Sequence, residues 1–477
     1  MLEPKVWQIT AGSVVVGLLV AAGAVAAAGP WDNGQRKAER QWAVAQGRTG
    51  GAHHQVRPAP GAAREPAPAP SAGAVLAALG GSGQGSGLAA EKTPASVPRT
   101  IARKLDPLFA DPALGSRHTG VVVDVATGKQ LYAKGAAVPM TPASTVKLAT
   151  MTAALSALGP DHRIATTVVA GSDGRKVTLV GGGDATLDAK GLAALADQTA
   201  KALRTRGVKK VHLGFDTSLY SGPRQHPIGP NDNIAPVVAL MSNEGRLDRS
   251  TTGPAPRSGD PAGAAAREFA ALLRDRGIGT TAPPRPERAA KDAERVARIW
   301  SAPLSALVER ALTQSDNDIA ESLARQTAVA ADEPASFAGA GRAVLARLKK
   351  LKLPLTGARL SDGSGLSRQD KVSASLLTAL LVRDGDQQSP ELRPVLTGLP
   401  IAGFSGTLRA RFADAAPAAG LIRAKTGTLT GVNTLAGTVV DADGRLLAFA
   451  FMAGSTPGPD AAQKALDRLA ATLVPTA

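Results

Sequence analysis

The sequence contains no cysteine. This excludes disulfide cross-links, thiolate nucleophiles and cysteine-bound metals together. Aromatic residues make up only 3%. Cores must therefore be built from Ala, Val and Leu, and the stacking platforms that hold single-stranded nucleic acid are scarce. The six histidines are scattered, and the one adjacent pair, His53-His54, stands in a Pro- and Gly-rich stretch without zinc-ligand spacing. Gly181-Gly182-Gly183-Asp184 lacks the G-x-G-x-x-G spacing of a dinucleotide loop. No metal and no cofactor is expected. Acidic charge is the scarcer sign: 39 Asp and Glu against 55 Lys and Arg, a net charge of +16. No basic run carries interleaved aromatics, so nucleic acid is not an expected partner. The same charge suits an anionic cell envelope.

The first segment, 1–31, is uncharged from Val6 to Trp31. Its centre, Ile9 to Ala28, is about 20 apolar or small residues, enough to span a bilayer as a helix. Trp7 and Trp31 stand at its ends, where interfacial aromatics belong. A cleaved signal peptide competes, because small-residue sites occur near Ala24 to Ala28. We favour the anchor; either reading places the remainder outside the cytoplasm, on the membrane's outer face or in the wall. Residues 32–96 follow as a disordered linker, with Pro58, Pro60, Pro66, Pro68 and Pro70 alternating with small residues and then Gly80 to Gly87 rich in Gly and Ser.

The folded part starts near Val97. Arg99 to Leu108 is predicted as helix, and His118 to Asp124 with Lys129 to Ala133 as a hairpin. Gly431 to Val440 and Arg445 to Ala453 are two further strands, closed by a helix from Ala461 to Leu473. Between them Ala302 to Arg393 is all helical. One antiparallel sheet drawn from both ends of the chain, flanked by helices, accounts for this order. Arg163 to Glu294 differs: a hairpin (Arg163 to Ala170, Lys176 to Val180), a helix (Ala189 to Arg206) and a strand (Lys209 to Phe215). The expected fold is mixed α/β (α+β), with one domain from 97–162 and 295–477 and a small inserted α/β domain at 163–294. The composition of Arg249 to Gly263, rich in Gly, Pro and Ser, suits a mobile loop.

Three short motifs carry chemistry. Ser144 and Lys147, in Pro142-Ala143-Ser144-Thr145-Val146-Lys147-Leu148, precede an Ala- and Leu-rich helix to Leu158. Three residues is close to one helical turn, so both share a face, with Ser144 at the helix start. A buried neutral amine can take a hydroxyl's proton. Alone, the pair is equally an N-cap and a solvated lysine. Ser315-Asp316-Asn317 joins two helices, and Asp316 there is also a plain helix cap. Lys425-Thr426-Gly427, followed by Thr428, ends the apolar run Leu421 to Ala424. The trio in this order is the signature of serine β-lactamases and penicillin-binding proteins.

With Gly181 to Leu187, Asp362-Gly363-Ser364-Gly365-Leu366-Ser367-Arg368, Gly406-Thr407-Leu408 and Arg423 to Leu429, the chain from Val97 onward resembles the D-alanyl-D-alanine carboxypeptidase/endopeptidase family, the type-4 low-molecular-weight penicillin-binding proteins. The resemblance implies a β-lactamase/penicillin-binding transpeptidase-like domain with an insertion between the first two motifs. About 170 residues separate Ser144 from Ser315, room for one inserted module. It implies an acyl-enzyme on Ser144, formed on peptidoglycan stem peptides or β-lactams, with Lys147 as base, kept neutral by burial and Lys425, and Ser315 as proton relay. Asn317 would bind the substrate amide, Lys425 and Thr426 the terminal carboxylate, and Gly427 would let the ligand approach. The N–H groups of Ser144 and Thr428 would form the oxyanion hole. A β-lactamase would use the same trio, but no Glu-x-x-x-Asn follows the second motif, and Glu321 and Glu333 lack that Asn. A non-catalytic wall-binding protein would not need all the motif residues intact. Carboxypeptidase and endopeptidase action differ only in what lies beyond the cut D-alanine, and stay open at this point.

A chain beginning near Val97 is expected to be soluble and to react with a fluorescent penicillin at the full-length rate, because the preceding residues cannot pack a core. Aggregation, or loss of labelling relative to a longer soluble chain, would put the domain boundary elsewhere.

Overall fold

The computed structural model describes residues 96–475, so the expected anchor or signal segment and the linker lie outside the described residues. Among the described residues, no helix is long and apolar enough to cross a membrane.

The chain enters on helix α1 (Ser96–Leu108) and strands β1 (Arg117–Asp124) and β2 (Gln130–Lys134). Helix α2 (Lys147–Leu158) follows. Next come the hairpin β3 (Ala165–Ala170) and β4 (Lys176–Val180), helix α3 (Ala189–Thr205), strand β5 (Lys210–Asp216) and helix α4 (Pro261–Asp275). Two short strands, β6 (Gly279–Thr280) and β7 (Arg285–Pro286), lead to β8 (Glu294–Trp300). Helices α5 (Leu304–Thr313), α6 (Asn317–Ala330), α7 (Phe337–Lys350) and α8 (Ala374–Asp384) form the helical stretch. The chain closes with β9 (Ile422–Leu429), β10 (Val432–Val440), β11 (Leu446–Gly454) and helix α9 (Pro459–Ala471).

The first sheet is antiparallel, in the order β2-β1-β11-β10-β9. Both chain ends feed it, as the alternating apolar runs require. Its central strand β11 is buried on both faces, and its residues alternate between two cores. Ala448, Ala450 and Met452 face Leu148, Met151 and Leu377 of the helical layer. Leu447, Phe449 and Phe451 face Leu105, Leu466 and Leu469 from the two terminal helices. The small residues on the first face let α2 lie close. Helix α2 is apolar all round, and Lys147 to Leu155 are all buried. The few aromatics concentrate on the second face, where Phe449 stacks on Phe451 at 5.3 Å and Phe109 meets Phe451 edge-on.

The second sheet runs β6-β5-β4-β3-β8, with β7 beside β5. Asp188 caps α3 through the Gly191 N–H, and Asp260 caps α4 through the Gly263 N–H, ahead of Pro261. Their apolar stripes, Leu192, Leu195, Ala266 and Phe269 among them, share a core with Val168, Val177 and Leu213 of the sheet. Strand β8 pairs with β3 as far as Trp300, six residues past the boundary expected at 294. The stretch 249–263 does not hang free. Ala255 is buried, Arg246 bridges to Arg257, and α4 begins at Pro261. The loop's polar composition hid a buried arginine, whose partners are described below.

Candidate active site

The Ser144 motif sits on a single 3-10 turn, Ala143–Val146, and the α-helix begins only at Lys147. The α-helix thus starts within one residue of the expected Leu148, with Ser144 on the 3-10 turn before it, and Ala143 ahead of Ser144 adopts a left-handed φ of 48°. Ser315 is left-handed as well, at φ 57°. Neither is glycine, so both positions are held by their surroundings.

Lys147 is fully buried, and its Nζ reaches three oxygens: Ser144 Oγ at 3.0 Å, Asn317 Oδ1 at 2.7 Å and the Ser364 carbonyl at 2.6 Å. The last two can only accept. In the neutral amine they take both N–H bonds and leave the lone pair facing the Ser144 hydroxyl. Asn317 is held in this orientation by its Nδ2, which donates to the Asn233 carbonyl at 2.9 Å. Burial lowers the Lys147 pKa to about 8, against the raising effect of Asp362, Asp316, Glu321 and Asp318. Burial, rather than the assistance expected from Lys425, is the cause that lowers it.

Lys425 lies on edge strand β9, also fully buried. Its Nζ donates to Ser315 Oγ at 2.9 Å and to the Thr426 carbonyl at 2.8 Å. Burial pushes its pKa well below the usual lysine range, and the nearby Lys147 ammonium pushes the same way. The Thr426 hydroxyl shares a 2.8 Å hydrogen bond with Thr407. Thr428 is exposed at the strand's outer end, its hydroxyl accepting from Gln463 at 3.4 Å.

Gly427 also has a packing reason of its own. A Cβ there would collide with Thr434 Oγ1 and stand 2.6 Å from the Pro142 carbonyl and 3.1 Å from the Ser144 nitrogen. The turn that carries Ser144 is thus a close neighbour. Thr434 on β10 secures the same turn by donating to the Pro142 carbonyl at 2.7 Å. Nothing in the local sequence singled Thr434 out.

Asp362 to Arg368 forms the third wall. Gly365, at φ 84°, packs so tightly that a Cβ would strike the Ala143 carbonyl. Glu321 on α6 accepts from the Gly363 and Ser364 N–H groups at 3.0 and 2.8 Å. Burial and Asp362 push its pKa up to about 7. It supports the loop that holds Lys147. Asp316 caps α6 through the Ile319 N–H at 3.0 Å, as the plainer reading had it. Gly181 to Gly183 is a junction: the Gly182 carbonyl accepts from Gln326 Nε2 at 2.7 Å, and Ser322 donates to the Gly183 carbonyl.

Two acidic clusters could be taken for metal sites. In the first, His226, Glu321 and Asp362 bring their donor atoms within 4.8 Å of one another. His226 Nδ1 accepts from the Ile228 N–H and Nε2 donates to Asp362 Oδ2, so neither ring nitrogen has a lone pair to offer. In the second, Glu244, Asp316 and Asp318 are met by guanidinium groups instead. Arg246 binds Glu244 at 2.8 Å, Arg257 binds Asp318 at 2.9 Å, and Arg310 binds Glu244. Burial and Asp316 still push Glu244 up to about 7. This network joins 244–257 to the Ser315 motif and explains the buried Arg257.

Comparison with known proteins gives one consistent result. The D-Ala-D-Ala carboxypeptidase 3 (S13) family profile matches residues 101–261 and 248–473. The carboxypeptidase DacB of Mycolicibacterium smegmatis is 40% identical over 398 residues, covering 80% of this chain and 85% of that protein. The D-alanyl-D-alanine carboxypeptidase of an Actinomadura species is 32% identical over 445 residues, covering 74% and 81%. Penicillin-binding protein 4 (dacB) from Haemophilus influenzae superposes with a TM-score of 0.65 at 22% identity, over 79% of this chain and 98% of that one. That last likeness is one of fold.

Gly427→Ala is expected to leave the protein folded, by circular dichroism and Tm, and to slow acylation about 100-fold, because a misplacement near 1 Å at a reacting group costs that much. Acylation at the wild-type rate would mean that the turn has more room than this packing allows.

Proposed function

Because the chain belongs to the D-Ala-D-Ala carboxypeptidase (S13) family and is accordingly a serine DD-peptidase of the extracytoplasmic cell wall, we propose that Ser144 is its acylated nucleophile and Lys147 its general base. The observation that carries this is the Lys147 amine, with both N–H bonds claimed by Asn317 and Ser364 and its lone pair facing Ser144 at 3.0 Å. As the Ser144 Oγ–C bond forms to the carbonyl carbon of the penultimate D-alanine, the hydroxyl proton passes to Lys147. Ser315, held by a hydrogen bond from Lys425, gives its proton to the nitrogen of the departing D-alanine and recovers one from the Lys147 ammonium, so the proton taken from Ser144 ends on the leaving amine and both lysines return to their starting state. Asn317 has one N–H left for the substrate's amide carbonyl. The N–H groups of Ser144 and Thr428 receive the oxyanion, each worth ~3 kcal/mol in the transition state. Water then releases the acyl group.

Lys425 and Thr426 are the proposed seat of the terminal carboxylate, a charge-assisted contact that favours the protonated amine. β-Lactams, which carry a carboxylate beside a strained amide, fit the same seat and acylate the same serine. We assign residues 163–300 as the inserted module. The uncharged run Ile9 to Ala28 is the proposed membrane anchor. The site's geometry favours the peptidase over a β-lactamase because Glu321, the carboxylate in the helix after the second motif, already accepts from the backbone of the loop beside Lys147.

Ser144→Ala should abolish both D-alanine release and fluorescent-penicillin labelling in a folded protein, and persistent labelling at another residue would sink the assignment. Lys425→Ala should slow acylation by a free-acid β-lactam roughly 30-fold or more, in line with the ~2–5 kcal/mol lost when one partner of a buried charged pair is removed. The methyl ester of the same compound should lose less than the free acid does, so that Lys425→Ala no longer prefers the free acid. Undiminished preference for the free acid in the variant would place carboxylate recognition elsewhere.

A further inference from the structure

Both acceptors that orient Lys147 are themselves set by the inserted segment. The Asn233 carbonyl holds the Asn317 amide. Ser364 belongs to the loop folded around Asp362, whose Oδ1 accepts from the Gly365 N–H at 2.7 Å and whose Oδ2 accepts from the Ser367 N–H at 2.6 Å. His226, from the inserted segment, donates to the same Oδ2 at 2.9 Å, with both side chains buried. The imidazole has no freedom to do otherwise. Its Nδ1 accepts from the Ile228 N–H at 3.1 Å, and Phe337 meets the ring edge-on at 5.2 Å. The tautomer with hydrogen on Nε2 follows.

We infer that His226 is a positioning residue for the general base: through Asp362 it holds the loop that presents the Ser364 carbonyl to Lys147, so the inserted segment completes the catalytic centre. This rests on the reading of Lys147 as base. A bare carboxylate at Asp362 would be buried close to Glu321 and Asp370, and burial with Asp362 already pushes Asp370 up to about 10. Burial works against the charge on Asp362, and the hydrogen bond from His226 is the largest of the influences that outweigh it, ahead of those from Asp370 and the Gly365 N–H; together they keep it ionised and acceptor-only, the form that can receive two backbone N–H groups at once. Protonation of Asp362 would put a donor where the loop needs an acceptor. The groups facing Lys147 itself are Asp362, Asp316, Asp318, Glu321 and Lys425, and Asp362 leads those that raise its pKa.

The sign of the pH effect separates positioning from mere structural support. Acylation requires neutral Lys147, so its rate rises with pH through about 8 in the wild type. His226→Leu removes the largest of the influences holding Asp362 ionised, so its pKa rises, its raising influence on Lys147 weakens and this acid limb moves to lower pH. Loosening of the site would admit water and move the limb up, towards the ordinary lysine value. The test uses the full chain, with a fluorescent penicillin as probe, and reads the acylation rate as a function of pH. His226→Leu and His226→Asn should acylate roughly 10- to 100-fold more slowly, with the acid limb lowered. His226→Gln should retain most of the rate and the limb, because its amide nitrogen reaches the place of Nε2, whereas that of Asn does not. The Gln and Asn variants decide the matter if the Leu variant does not fold. Equal behaviour of Gln and Asn, an unchanged rate in Asn, or a limb displaced upward would each overturn the inference. Lys147→Ala, measured alongside, keeps the two readings apart. Acylation of that variant would defeat Lys147 as base, whereas its inactivity with a wild-type-like His226→Asn would defeat only the role of His226.

Discussion

Two amines buried in one site set the terms for everything around them. Lys147 and Lys425 are both fully buried, and two ammonium groups so placed cannot both remain charged at low cost. The Lys147 ammonium is one of the causes that hold Lys425 below the usual lysine range. On the roles proposed for them, a carboxylate beside Lys425 would favour the proton there and leave Lys147 neutral beside Ser144. The serine hydroxyls follow the same division, with Ser144 on Lys147 and Ser315 on Lys425.

Such an arrangement tolerates little movement, and the fold limits it by close backbone approach. The nucleophile's turn is wedged between strand β9 and the 362–368 loop. Gly427 meets it from one side and Gly365 from the other, each where a single Cβ would collide. Thr434 joins the turn to β10. Of the two non-glycine residues with left-handed backbone in the motifs, Ala143 is packed against by Gly365, and Ser315 is tied to Lys425. Their strain is maintained by contacts on several sides, which is why the site is made from both ends of the chain and from its middle.

How much of this can be read from the sequence depends on whether the reason for a residue is local. Ser144, Lys147, Ser315, Asn317 and Lys425 stand out because the chemistry demands particular functional groups at short, fixed spacings. The sheet strands stand out because Val121 to Val123 and Leu447 to Ala453 are apolar runs bounded by turns. Helix α4 does not, because its start, Asp260-Pro261, lies in a Gly- and Pro-rich setting that resembles a loop. The packing reason for Gly427 is not local either, since the backbone atoms it must avoid, at Pro142 and Ser144, lie nearly three hundred residues earlier. Arg257, His226, Asn233 and Thr434 offer no local signal at all. Each is explained by a partner distant in sequence: Asp318, Asp362, Asn317 and the Pro142 carbonyl respectively.

The distribution of charge around Lys147 has a common logic. The groups in direct contact with its N–H bonds are neutral, an amide oxygen and a peptide carbonyl. A carboxylate in either position would hold the amine protonated, because an opposite charge within about 4 Å favours the charged form. Four acids nevertheless surround the site, and each is occupied one step back. Glu321 and Asp362 are bonded to the N–H groups of the loop. Asp316 caps α6, and Asp318 is tied to Arg257 and the Ala235 N–H. From there they offset part of the cost of burying two amines, without a direct hold on the proton that must move. Burial lowers the Lys147 pKa to about 8, and neutral acceptors in front with anchored carboxylates behind leave that effect of burial standing, a value suited to the base role proposed for it.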